Sequence, residues 1–161
     1  MTLAMDASFR ASIELGTGTD LENGDLYGPI RAEAYELEKE RADYPRIVIG
    51  DRLFEYLKSF SEGCPRIPCR TERELRGSKN IATMCMKMIA ADPNDGSRIL
   101  DYLGSEFSEK TKCDCQHDVY REARAYVEKE LQDHSASGHD GVAEKFRKLR
   151  DYFDSRIPPA R

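Results

Sequence analysis

Cys113-Asp114-Cys115-Gln116-His117 brings two thiols and an imidazole into one short stretch, and those are the donors that seed a zinc site. Closing such a site takes further ligands at a similar spacing, and none follows; Cys64 and Cys69 lie far upstream. A thiolate nucleophile would need a lowered pKa and a placed base, for which the closeness of Cys115 to His117 is the only hint. Five cysteines, an odd number, read as reduced thiols. His134 and His139 bracket a Ser/Gly loop and read as loop or cap residues. The run Asp92-Pro-Asn-Asp-Gly96 carries oxygen donors but lacks the spacing and terminal glutamate of a calcium loop, so it reads as a turn. Gly16-x-Gly18 is too short for a phosphate-binding fingerprint. No metal site is expected from these residues.

The elements that would position any chemistry are organised around Asp25 to Gly50. Gly28 and Pro29 open a helix, since a missing N–H costs nothing in the first turn. Ile30, Ala34, Leu37 and Arg41 keep a helical period, with Tyr35, Glu38 and Ala42 beside them. Pro45 pushes Tyr44 out of helical geometry and ends the helix; Arg46-Ile47-Val48-Ile49 is then a β-branched strand closed by Gly50. Upstream, Phe9 to Gly16 alternates as a strand, with Phe9, Ala11, Ile13 and Leu15 on one face and Arg10, Ser12 and Glu14 on the other. Thr17 to Gly24 is a polar turn region.

Downstream, Asp51 is expected to cap a short helix faced by Leu53, Phe54, Leu57 and Phe60 and ended by Gly63. Residues 62–80, with early glycine and proline breaks and then a charged segment, read as an exposed excursion. Ile81 to Ala91 reads as a strand, because Met84, Met86 and Met88 alternate with Thr83, Cys85 and Lys87; these methionines are core filler. The Asp92–Gly96 turn then leads to a partner strand at Ile99 to Leu103. His117 to Gln132 and Asp140 to Asp154 are two closing helices, striped by Val119, Ala123, Tyr126, Val127 and Leu131 and by Val142, Phe146, Leu149 and Phe153.

The order Phe9-Arg-Ala-Ser-Ile-Glu-Leu-Gly16, Tyr27-Gly28-Pro29, Ala34-x-x-Leu37-Glu38 and Tyr44-Pro-Arg-Ile-Val-Ile49 resembles the second half of a class III nucleotidyl cyclase domain. It is most similar to the bacterial branch that includes the pyrimidine cyclases of anti-phage defence. The likeness is specific over residues 9–50 and looser at Asp92–Gly104 and Val142–Phe153. It implies an α+β fold of ferredoxin-like type, a partial sheet with helices on one face, followed by two C-terminal helices. Residues 1–104 would be a truncated cyclase-like domain with the excursion at 62–80, and residues 105–161 a helical extension. It also implies a nucleoside triphosphate as ligand, held by Arg10, Tyr27, Gly28, Arg31 and Arg46, and a homodimer, because such sites form between two domains. The family's reaction is a lyase step giving a cyclic nucleotide and pyrophosphate, with Mg or Mn ions held by two aspartates.

Those aspartates sit upstream of the part resembled, and Asp6 lacks the strand and hairpin that would present it. Aligned on Tyr27-Gly28, the places of the family's helical Asn and Arg hold Ala32 and Glu36, and the late turn holds Asn94 and Asp95 in place of a lysine. The chain is therefore expected to be catalytically incomplete, with no cofactor of its own and catalytic residues unassigned. Its function is read as the C-terminal part of a nucleotidyl cyclase-like protein, or as a non-catalytic nucleotide-binding or dimerisation module; a small α+β domain outside that family is the third reading.

Composition agrees with one soluble domain. The chain has 161 residues, of which 39% are hydrophobic and 34% charged. A net charge of −5 gives no footprint for nucleic acid or an anionic membrane, and no apolar run approaches the ~20 residues of a span. A cytoplasmic protein without nucleic-acid or membrane partners is expected.

Overall fold

A computed structural model describes residues 8–22, 24, 26–63, 71–111 and 116–156. Three short strands come first: β1 (Ala11–Ile13), β2 (Thr19–Asp20) and β3 (Leu26–Tyr27). Helix α1 (Pro29–Arg41), strand β4 (Ile47–Ile49) and helices α2 (Asp51–Ser61) and α3 (Glu72–Lys87) follow. The chain then forms the hairpin β5 (Ile89–Ala91) and β6 (Arg98–Leu100), and helices α4 (Ser105–Thr111), α5 (Gln116–Ala136) and α6 (Asp140–Asp154).

The main sheet has the order β1-β4-β6-β5. β1 and β4 are parallel, with Ser12 beside Val48, and α1 is the crossover that parallel pairing requires. β6 runs antiparallel to both β4 and β5. The 17–24 stretch, expected as a polar turn, instead contributes β2, which pairs with β3 in a separate two-stranded ribbon that delivers the chain to α1.

Alternation along the strands fixes what each sheet face meets. Ser12, Val48 and Ile99 share one face. There the Ser12 hydroxyl donates to the Ala34 carbonyl of α1 at 2.6 Å, and Ile99 joins the core formed with α5 and α6. Arg98 points the other way and reaches α2, 4.0 Å above the Phe54 ring and 2.6 Å from Asp51. The expected placement of helices on one face therefore holds for α1, α5 and α6, while α2 packs on the opposite side. Tyr44, Ile99, Val127, Leu149, Tyr152 and Phe153 are almost fully buried in one cluster, so the C-terminal helices share a core with the sheet.

Several expectations are corrected. Residues 71–80 are largely exposed, as expected, but they are helical: they begin α3, where the Thr71 hydroxyl accepts from the Glu74 amide and the Glu74 carboxylate accepts from the Thr71 amide, while residues 64–70 lie outside the described residues. Met84 and Met86 sit on that helix and not on a strand; only Ile89–Ala91 is extended. The alternating methionines misled because Met is also a strong helix former, and a capped helix packed on α2 wins over a two-residue period. Asp51 is likewise not the cap of α2. Gly50 occupies that position, and Glu14, reaching across from the end of β1, accepts the Leu53 amide at 2.9 Å. Val142 is exposed, its place on the inner stripe of α6 taken by Ala143. Gly63 does end α2, at a positive φ of 77°.

Candidate nucleotide-binding groove

The groove lies where the ribbon enters α1. Gly28 has φ 144° and ψ 170°, a conformation only glycine adopts without strain, and a Cβ there would lie 2.9 Å from both the Gly18 Cα and the Thr17 carbonyl oxygen. Gly28 therefore lets the 17–18 backbone close against the start of the helix. Pro29 starts α1, whose first turn has no capping side chain and no acidic residue. Pro29 has no amide to offer and the Arg31 amide donates to the Gly28 carbonyl at 3.3 Å, so the Ile30 amide and the helix dipole are what this end presents.

Tyr27, Gly28, Pro29, Arg31, Ala32 and Tyr35 line this groove, which has a volume of ≈ 600 Å³. Two of its walls are tyrosine rings held out into solvent, Tyr27 at 73% and Tyr35 at 63% exposure. Such rings offer π-faces for stacking, while the Arg31 guanidinium and the helix terminus offer charge to an anion. Glu36 is exposed but does not line the groove. Glu33, one turn into the helix, is held by Arg52 at 2.5 Å.

Of the residues implied by the cyclase resemblance, Tyr27, Gly28 and Arg31 come together here. Arg10 and Arg46 do not. Arg10 pairs with Glu38 of α1 at 2.5 Å, on the side of the helix that meets β1. Arg46 is 3% exposed and is bound within the fold, away from the groove. Its guanidinium donates to Asp92 at 2.7 Å and to both oxygens of Asp95, at 3.0 and 2.7 Å, and also to the Arg41 carbonyl. The Tyr44 phenol donates to the same Asp92. Burial and that carboxylate hold the Tyr44 phenol protonated far above its usual range. Hydrogen bonding to Arg46 lowers the Asp95 carboxyl to about 2. The turn Asp92–Gly96 thus has a purpose beyond reversing the chain, since its acids neutralise a buried arginine from β4's approach.

Pro29, Ala32 and Tyr35 were missed as groove residues. Tyr35 stands beside the apolar stripe of α1 in sequence, and only the tertiary placement of the helix turns it outward. Cys113, Cys115 and Asp6 lie outside the described residues, as do Cys64 and Cys69. Cys85 is a free thiol. His134 stacks on Phe146 and pairs with Glu130 at 3.4 Å, and its ring lies 5.7 Å from that of His139. Among the described residues no group of three or more His, Cys, Asp or Glu side chains is arranged to hold a metal ion. Among the same residues no helix is long and apolar enough to cross a membrane.

No protein-family model matches the chain, and neither a curated protein nor a solved structure does. Among the described residues the chain is a mixed α+β architecture, a four-stranded mixed sheet and a two-stranded ribbon with six helices.

Proposed function

We infer that this chain is a nucleotide-binding module of nucleotidyl cyclase type, which takes a nucleoside triphosphate in the Tyr27–Tyr35 groove without completing cyclisation alone. The observation that carries this reading is the convergence of Tyr27, Gly28 and Arg31 on one groove at the uncapped start of α1. A triphosphate would meet the helix terminus and Arg31, and a base would stack on an exposed tyrosine ring. The parallel β1–α1–β4 unit supports the resemblance as far as the element order reaches.

Cyclisation asks for metal-bound charge at both the attacking and leaving oxygens. Under this reading the carboxylates for it come from outside the described residues, and the family's homodimeric arrangement is expected here too. The test is nucleotide binding by calorimetry with ATP, GTP, CTP and UTP, followed by assay for cyclic product with Mg²⁺ or Mn²⁺. Saturable binding that weakens in Arg31→Ala, without cyclic product from the chain alone, is expected. Absence of binding to all four nucleotides would remove the reading, and cyclic product from the chain alone would show it to be an enzyme in its own right.

A further inference from the structure

The groove at the start of α1 carries more recognition chemistry than one nucleotide uses. Tyr27, Arg31 and Tyr35 follow one another at intervals of four residues, and all three line it. Arg31 and Tyr35 lie one turn apart on one face of α1, a rise of about 6 Å, and Tyr27 stands just ahead of the helix. Along the chain the cation therefore comes between the two rings. Among the described residues these three side chains have no hydrogen bond, ion pair or ring contact, so the fold makes no use of their polar or π chemistry. Both rings are mostly in solvent. Gly28, Pro29 and Ala32 complete the lining with small side chains, which leaves a ligand room to lie along the helix. The volume of ≈ 600 Å³ is well within the range of small-molecule sites.

We propose that the groove takes a dinucleotide, two bases joined through phosphate, with one base stacked on Tyr27, the other on Tyr35 and the phosphate bridge on the Arg31 guanidinium. The proposal deepens the reading of this groove as a nucleotide site and rests on it. The order aromatic, cation, aromatic on the protein is matched by base, phosphate, base on the ligand. A mononucleotide has one base and leaves one ring bare in water. Stacking needs no hydrogen-bond partner and suits any base, because every base has a π-face. The bridge is short and the ligand small, since the groove supplies a single guanidinium on a chain of net charge −5. A longer strand would bring one more negative charge with each nucleotide and find no further cation in the groove to meet it.

The test is calorimetric titration of the full chain with ApA, GpG, CpC and UpU, each set against its own mononucleotide and triphosphate. At least one dinucleotide should bind one-to-one and about tenfold or more tightly than the matching mononucleotide, the gain expected for a second stacked base. Tyr27→Ala and Tyr35→Ala should each remove that advantage, bringing dinucleotide and mononucleotide level, while Tyr27→Phe and Tyr35→Phe keep it because the ring remains. Both tyrosines are exposed, so circular dichroism should be unchanged in all four variants. Equal affinity for dinucleotide and mononucleotide in the native protein, or an advantage that survives in both alanine variants, would overturn the two-base site and leave the nucleotide groove standing. Affinity that climbs with each nucleotide added in an oligonucleotide series would assign the groove to a strand and overturn the small ligand. Absence of binding by every nucleotide would remove the groove reading and this inference with it.

Discussion

At the scale of the residue, Arg46 is the side chain most changed in meaning by the structure. Its place at the head of a strand suits a phosphate contact, yet its guanidinium is buried against Asp92, which is itself fully buried, and against Asp95. Removing one partner of such a pair strands the other's charge, so Arg46→Met should cost about 3–5 kcal/mol in urea unfolding. Asp95 supplies the pH signature. Its carboxyl is lowered from 3.8 to about 2 by the bond to Arg46, so its contribution is fully present above 3.8 and fades as pH falls through about 2. Solvent reaches nearly half of this side chain and screens the effect, which keeps it small. Asp95→Asn should flatten the acid limb of stability between those values, measured as the urea midpoint against pH. The sequence could not reveal this network, because Arg46 and Asp92 lie far apart in the chain and the turn chemistry of Asp92–Gly96 already explained its acids. By contrast, the special roles of Gly28 and Pro29 were legible, since few residues suit a positive φ and a donorless first turn.

At the scale of the element, helix ends decide the local structure. Gly28→Ala would place a Cβ against the 17–18 backbone in a glycine-only conformation, at a cost of about 1–3 kcal/mol. It should also open the groove, seen as exchange broadening or shifts of the Thr17 and Gly18 amides together with loss of nucleotide binding. Helix α2 has no capping side chain of its own and borrows Glu14, so Glu14→Ala should lower stability by about 1 kcal/mol and speed hydrogen exchange at Leu53. The βαβ unit could be read ahead because proline and glycine bracket its helix on both sides. Helix α3 was the element misread: its capping box, Thr71-x-x-Glu74, was present in the sequence, but glycine and prolines upstream and alternating methionines downstream drew the eye to a loop and a strand. The β2–β3 ribbon was illegible for another reason, as strands so short leave no periodicity to detect.

At the scale of the whole molecule, the sheet and the C-terminal helices are tied by a single buried cluster running from Tyr44 and Ile99 to Leu149 and Phe153. Leu149→Ala should therefore cost about 2–5 kcal/mol, and unfolding should remain one transition by both far-UV circular dichroism and tyrosine fluorescence; separate transitions would mark two independently stable units. Among the described residues the groove at the start of α1 stands open to solvent, and the functional account rests on the proposal that an anionic ligand enters it. Isothermal titration of native protein and Arg31→Ala with the four nucleoside triphosphates tests it most directly: the account predicts saturable one-to-one binding of at least one nucleotide, weakened about tenfold or more without the guanidinium. Failure of all four to bind, or equal affinity in Arg31→Ala, would contradict it.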